Sequence, residues 1–406
     1  MVRTGAEVLC EGGAAALRGL RVGVVANPAS LVRSRGRRVH LVDALRAAGV
    51  AVVRLYGPEH GLWSTAQDLV GVEGGPDPIF GLPVDTLYGR TVDTLTLQPQ
   101  ALDGVDALVF DVQDVGSRYY TYFATLCMAI DTCVARGVPV WVLDRPNPLG
   151  GEQVEGNRVD PRFKSFVSWL DLPQRHGLTM GEIARLYVAE AALPQAAVRI
   201  VACQDWDPAC YFDELDWGPD GSPWYAPSPN MPTVQTAIVY PGGCLVEGTL
   251  LSEGRGTTRP FELVGAPWID ARRLCRDLEA MDVAGLSVRP MAFEPTFQKF
   301  ARQVCQGVAV EVSDRRAFAA VRAGVALIAA MRAQNPALFQ WRTEIYEFVA
   351  DRLAIDLLMG GPHCRTVLDR GGGLDEATDD FAQGQDAFAR RAQPQLLYPR
   401  AAGPLA

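Results

Sequence analysis

The sequence predicts an α/β protein: a Rossmann-like parallel-sheet domain over residues 1–262, followed by a smaller α+β domain over residues 263–406. Three observations carry that expectation. Strand-like and helix-like runs alternate through the first half. The strand-like runs are almost wholly apolar, as expected of a sheet buried on both faces. The pattern then gives way, after a long Pro/Gly/Trp-rich stretch, to helices mixed with longer strand-like runs.

In order, RVGVVAN (21–27) reads as a strand, VHLVDALRAAG (39–49) as a helix and VAVVRLYG (50–57) as a second strand. DALVFDVQ (106–113) is a strand after an irregular loop. In YTYFATLCMAIDTCVARG (120–137), Phe123, Leu126, Ile130 and Val134 recur at helical spacing, and Gly137 ends the helix. VPVWVLDRPN (138–147) is a strand. TMGEIARLYVAEA (179–191) opens with Thr179 and Glu182 at capping-box spacing, and AVRIVAC (197–203) closes the series. Residues 204–262 read as long irregular loops of the kind that wall binding sites. Beyond them, DARRLCRDLEAM and FAAVRAGVALIAAMRAQN read as helices, LSVRPMAF and GVAVEVSD as strands, and the closing Gly/Ala/Asp-rich stretch as one loosely packed helix.

Composition narrows the function. A chain of 406 residues with 48 % hydrophobic and 21 % charged residues buries a large core, which excludes global disorder. A net charge of −9 argues against nucleic acid or an anionic membrane as partner. The basic run RSRGRR (33–38) reads as a solvated loop. Nine cysteines without CxxC spacing argue against a zinc ribbon or a disulfide framework and fit a reducing compartment. The first residues lack the apolar core of a secretory signal, so a cytoplasmic location is expected unless an export signal precedes the chain.

Active residues of a parallel sheet gather beyond the carboxyl ends of its strands. Glu59 and His60 follow one strand; Asp111, Gln113 and Asp114 close a second; Asp144, Arg145 and Asn147 close a third. The turn ANPAS after the first strand is not a phosphate-binding glycine loop, no H-E-x-x-H occurs among four histidines, and G-x-S-x-G is missing. What remains is carboxylate chemistry, as in glycoside cleavage, which needs a proton donor for the leaving oxygen and a second group at the anomeric centre. The pool is Glu59, Asp111, Asp114, Asp144, Glu155, Glu247 and Glu253. Each has an ordinary structural alternative: a turn cap for Glu59, a hairpin-loop charge for Glu155, a helix cap for Asp114 and a plain ion pair for Asp144 with Arg145. Arg255 and Arg259 sit among glycines and threonines, where a planar guanidinium can grip a substrate carboxylate. Trp63, Tyr119, Tyr120, Trp206 and Trp224 can stack on sugars or simply pack the core.

The blocks GPEHGLW, GLPVDTLYG, DALVFDVQDVGSRYYTY, VWVLDRPNPLGG, PQRHGLTMGEIA, PSPNMPTVQTAIVYPGGCLVEGT and SEGRGTTRPFELVGAPWID resemble, in order, those of the exo-β-N-acetylmuramidases of glycoside hydrolase family 171, formerly a domain of unknown function. The resemblance spans roughly residues 20–310 and leaves the acidic tail after about residue 365 outside. It implies a cleft between a Rossmann-like and a smaller C-terminal domain, release of N-acetylmuramic acid from the non-reducing end of peptidoglycan fragments, and no metal or other cofactor. The expected partners are small muropeptides or disaccharide fragments. The motif glutamate is Glu59, taken as general acid. Glu155 and Asp114 are the candidates for a second carboxylate, with assistance from the substrate's own 2-acetamido group as the alternative. Substrate contacts are expected from His60, Arg118, Tyr120, Asp144, Arg145, Asn147, His176, Asn230, Glu253, Arg255 and Arg259, the arginines gripping the lactyl carboxylate. In the block VEGN, Asn157 stands where the resemblance leads one to expect proline. Two rivals stay open: a non-catalytic cell-wall sugar-binding protein and a β-N-acetylglucosaminidase.

Overall fold

A computed structural model describes residues 1–34, 36–219, 221 and 223–400. Arg35 of the basic run, Asp220 and Ser222 of the long loop, and the last six residues lie outside the described residues. Seven strands form one sheet: β1 (Arg21–Ala26), β4 (Ala51–Gly57), β5 (Gly75–Pro76), β6 (Pro83–Thr86), β7 (Ala107–Asp111), β8 (Val140–Leu143) and β9 (Val198–Val201). A hairpin, β2 (Leu31–Ser34) with β3 (Arg37–His40), stands apart from it. The sheet order is β5-β6-β4-β1-β7-β8-β9, parallel throughout except for the short β5. Every residue of β7 and β8 is buried, as an apolar strand covered on both faces must be.

The helices start and stop where local chemistry tells them to. α1 (Gly5–Glu11) precedes the sheet, and α2 (Leu41–Ala47) leads into β4. α3 (Tyr122–Arg136) ends at Gly137, whose φ of 68° and free conformation close the last turn. α4 (Met180–Glu190) opens on Thr179, whose hydroxyl accepts from the Glu182 amide while the Glu182 carboxylate accepts from the Thr179 amide.

The region read as irregular loop contains a buried helix, α5 (Val234–Gly243), capped by Thr233. Proline and two glycines in YPGG gave it the look of a loop, but here they serve packing. Gly242 faces Gly324 of α7 (Ala320–Gln334), and a Cβ on Gly242 would collide with the Ala320 carbonyl. Helix-to-helix approach at backbone distance is therefore what these glycines make possible.

The second half adds a three-stranded antiparallel sheet, β10-β12-β11, built from β10 (Leu263–Ala266), β11 (Leu286–Phe293) and β12 (Cys305–Val312). α6 (Ala271–Ala280) lies across it. Two short helices, α8 (Ala354–Met359) and α9 (His363–Asp369), precede the closing stretch, which among its described residues holds not one helix but two, α10 (Leu374–Ala377) and α11 (Phe381–Ala392). This tail is latched to the first half. The Tyr398 hydroxyl donates to Asp144 at 2.6 Å, and Arg400 pairs with Glu182 at 2.8 Å, both groups buried. All nine cysteines are unpaired, and no helix among the described residues is long and apolar enough to cross a membrane.

Because the α5–α7 crossing has no room for a side chain, Gly242→Val is expected to destabilise the protein by about 3 kcal/mol. A lower urea midpoint at unchanged m-value checks this, and an unaltered midpoint contradicts the packing assignment.

Candidate active site

The loop leaving β4 builds the first wall of a cleft that opens to solvent. Pro58 and Gly61 bracket Glu59 and His60 in a tight turn, with the Gly61 amide bonded to the Pro58 carbonyl at 2.8 Å. The segment after β7 supplies Tyr119, Tyr120, Thr121 and Tyr122 at the start of α3. Ser228, Asn230 and Met231 come from the long loop, Tyr240 from α5, and Glu247 from the 3-10 turn Cys244–Gly248. Arg255 and Phe261 follow, and Tyr346 with Glu347 reach in from the second half. Tyr120, Tyr122, Tyr240 and Phe261 pack edge to face with ring centroids 4.7–5.7 Å apart, giving a rigid aromatic wall.

Four residues of the lining hold φ values normally left to glycine: His60 (69°), Leu69 (59°), Phe261 (65°) and Glu347 (46°). Each costs on the order of 1–3 kcal/mol and persists because the surroundings hold it, a pattern that clusters at functional sites. Glu347 and Phe348, with φ of 46° and 65°, form the apex of a turn closed by paired Tyr346 and Val349 backbone bonds. That turn aims Glu347 into the cleft.

Charge is unevenly distributed. Glu59, Asp68, Glu247 and Glu347 line the cleft, and Arg255 is the sole guanidinium or ammonium among the lining residues. Its Nη2 pairs with Glu247 at 2.6 Å, its Nη1 with Asp68 at 3.1 Å, and its Nε lies 3.4 Å from Glu253, which also holds Lys299 at 2.8 Å. Burial raises the pKa of Glu59; His60 and the Thr121 hydroxyl, which donates to it at 2.5 Å, offset this only in part. Burial raises Glu347 further, then the charge of Glu59 adds to it, against a hydrogen bond from the Tyr88 hydroxyl at 3.0 Å. Burial also acts on Glu247, but Arg255 outweighs it and Glu247 stays below the ordinary carboxylate range. The Tyr346 hydroxyl holds its second oxygen at 2.8 Å. The cleft thus holds carboxyl groups driven in opposite directions, Glu59 and Glu347 upward by burial and Glu247 downward by Arg255.

Of the residues expected from the sequence, Glu59, His60, Tyr120, Asn230 and Arg255 line this cleft, together with Glu247 of the carboxylate pool and Tyr119 of the aromatic set. Glu253 stands one layer back, between Arg255 and Lys299. The others tie the fold together elsewhere. Glu155 accepts from the Val321 and Arg322 amides at 3.0 and 2.8 Å and so caps α7. Asp114 accepts from the Gly116 amide at 2.6 Å, and burial moves its carboxyl up to about 7. His176, fully buried and pushed down to about 3 by that burial, accepts from the Leu178 amide and lies 3.7 Å from Asp114.

Arg118 donates to the carbonyls of Asn157, Leu172 and Leu358. Asp144 accepts from Thr179, Gly181 and Tyr398 at the mouth of α4. Arg145 makes a bidentate pair with Asp111 at 2.6 and 2.9 Å. Asn147 pins the backbone at Leu149 and Leu178, and Arg259 pairs with Glu262. Trp63 stacks on Phe80, and Trp206 lies against Tyr398. Glu347, Asp68, Thr121 and Tyr346 escaped the sequence reading; only the Tyr-Glu-Phe run of 346–348 hints at a polar group among aromatics.

Among the described residues one grouping has the donor set of a metal ligand cluster, His363 at the start of α9 with Asp379 and Asp380 in the turn before α11, outside the cleft lining.

Comparison with known proteins agrees with this two-part construction. The N-terminal family model of the exo-beta-N-acetylmuramidase NamZ matches residues 22–235 and its C-terminal model residues 238–398. The tail placed outside the resemblance is therefore matched by the C-terminal model as far as residue 398. The chain is 36 % identical over 397 residues to the peptidoglycan beta-N-acetylmuramidase NamZ of Bacillus subtilis, covering 98 % of this chain and 91 % of that protein. Two crystal structures of DUF1343 family proteins from Bacteroides fragilis superpose with TM-scores of 0.84 and 0.74, at 30 % and 26 % identity. In both, 98 % of this chain and 99 % of the other are covered.

Arg255→Met leaves Glu247 and its neighbours buried without their cation, so a loss of about 3–5 kcal/mol is expected at neutral pH. Glu247 has its pKa depressed in the folded state, so its contribution is present above its unfolded pKa and is lost as pH falls through the folded one. The deficit of the variant should accordingly shrink in acid. Urea unfolding at pH 7 and pH 4 checks this, and a constant deficit contradicts it.

Proposed function

The chain belongs to the exo-β-N-acetylmuramidase family, and we propose that it removes β-linked N-acetylmuramic acid from the non-reducing end of peptidoglycan fragments, with Glu59 as general acid and Glu247 as the ionised partner. It is a glycoside hydrolase acting on a small-molecule cell-wall substrate. The observation that carries the residue assignment is a pair of carboxyl groups in one cleft whose pKa values are driven in opposite directions.

An acid must arrive at the glycosidic oxygen with its proton, and burial shifts Glu59 in the direction that favours holding one. Thr121 orients the carboxyl by donating to one oxygen, which leaves the other to face the leaving group. As the bond breaks, positive charge grows at the anomeric carbon and ring oxygen. Glu247 meets it with a fixed negative charge, and water completes the hydrolysis by giving its hydroxyl to the anomeric carbon and releasing the proton that restores the Glu59 acid. Both oxygens of Glu247 already accept strong hydrogen bonds, from Arg255 and Tyr346, so it serves as an electrostatic stabiliser better than as an attacking nucleophile. Glu347 shares the neighbourhood of Glu59, and two such carboxyls do not ionise together; the pair titrates as a unit. The aromatic wall and the long loop close around a terminal sugar, as an exo-acting site requires.

Glu59→Gln is expected to lose about 10²–10⁴ in kcat on disaccharide fragments and much less on a nitrophenyl muramide, whose leaving group needs no proton. An equal loss on both substrates contradicts the acid assignment.

The rate should fall at high pH as the Glu59–Glu347 pair gives up its proton, and at low pH as Glu247 gains one. Glu347 is raised further than Glu59 and stays neutral while Glu59 titrates, so Glu347→Gln should leave the high-pH limb in place. A limb that moves assigns it to Glu347.

A further inference from the structure

Arg255 is crowded by anions: all three of its nitrogens lie within ion-pair distance of a carboxylate. Three carboxylates surround one guanidinium that is 6 % exposed, and only Lys299 helps to balance them. A substrate that brings its own carboxylate would be the fourth anion on a single cation, in a site where each unbalanced buried charge is worth several kcal/mol. One of the three must yield.

The three are not held alike. Glu247 has its other oxygen on the Tyr346 hydroxyl, and Glu253 has its other oxygen on Lys299. Both side chains are buried at 6 % and 3 % exposure. Asp68 is the most exposed of the set at 10 %, and sits in a turn of the loop after β4 rather than in a helix or strand. Its remaining partner is the side chain of Gln298, an exposed residue, at 3.1 Å. The neighbouring Gln67 holds Asn230 at 2.8 Å, so the same loop also touches the opposite wall of the cleft.

From this we propose that Asp68 is an internal stand-in for the carboxylate of the substrate: it neutralises Arg255 Nη1 while the cleft is empty and is exchanged for the carboxylate of an anionic sugar when one binds. The inference rests on the proposed function and deepens it. An exchange of one carboxylate for another conserves the ion pair on Arg255, whereas a neutral N-acetylhexosamine offers nothing to exchange. Discrimination between the two sugars then resides in the competition between Asp68 and the ligand. It is an arrangement in which Asp68 lowers the affinity for the preferred sugar, but keeps a buried guanidinium from standing unpaired in its absence. The loop from Asp68 to the Gln67–Asn230 contact is expected to shift with the exchange.

The experiment is calorimetric binding of free N-acetylmuramic acid and free N-acetylglucosamine to the full-length protein, for the wild type, Asp68→Asn, Asp68→Glu and Gln298→Ala. Asp68→Asn is expected to tighten N-acetylmuramic acid by on the order of tenfold, equivalent to about 1.4 kcal/mol, and to leave N-acetylglucosamine unchanged. Asp68→Glu should return the ratio towards that of the wild type. Gln298→Ala, which loosens Asp68 without touching the lining, should move it the same way as Asp68→Asn by a smaller factor. A merely structural role for Asp68 changes both sugars together and overturns the exchange, as does weaker binding of N-acetylmuramic acid to Asp68→Asn. Binding of N-acetylmuramic acid by the wild type with a ratio indifferent to all three variants overturns the exchange alone. No binding of that sugar by the wild type, with N-acetylglucosamine bound, overturns the proposed substrate as well.

Discussion

A buried guanidinium cannot stand alone, and Arg255 draws the cleft together around that requirement. Its partners come from three parts of the chain: Asp68 from the loop after β4, Glu247 from the turn following α5, and Glu253 just before it in sequence. Lys299 and Tyr346 are recruited from the second half through those carboxylates. The cleft therefore exists only where the two halves meet. Five carboxyl groups, Glu59, Asp68, Glu247, Glu253 and Glu347, share this region with two cations, Arg255 and Lys299. Since an unbalanced buried charge costs several kcal/mol, protons must make up the difference. Burial pushes the carboxyl pKa up where no cation is in contact, at Glu59 and Glu347. Acid character is in this sense a consequence of how the ion pairs are distributed.

The remainder of the structure keeps that arrangement still. Carboxylates at the ends of β7 and β8 are spent on the scaffold: Asp111 on Arg145, Asp144 on the start of α4 and on Tyr398. Glu155 crosses to the second half to cap α7, and Arg118 spans from the first half to the Leu358 carbonyl. Such ties fix the two halves in register. They let His60, Phe261 and Glu347 be held in backbone conformations that a freer segment would abandon.

Much of the fold was legible because it rests on local rules. Apolar strands, the Thr179–Glu182 capping box and Gly137 at the end of α3 each declare themselves within a few residues. α5 was hidden because its glycines and proline answer to a neighbouring helix, not to their own segment. At the site, Glu59 and His60 were visible through the turn residues beside them, and Arg255 through its glycine-rich surroundings. The arginines and acids at the ends of β7 and β8 looked equivalent to these in sequence. Which of them face a cleft and which face a backbone amide depends on contacts far away in the chain. Glu347 was invisible for the same reason: nothing near Ile345–Phe348 reveals that its turn will be pressed against Tyr88 and Glu59.

The most direct test of the account is a crystal structure of the full chain with an N-acetylmuramic acid-containing disaccharide bound to the Glu59→Gln protein. The expected result places the glycosidic oxygen about 2.6–3.2 Å from the residue-59 side chain, with the anomeric carbon facing Glu247. A disaccharide seated instead against Asp114 or Glu155, with the Arg255 cleft empty, would contradict it.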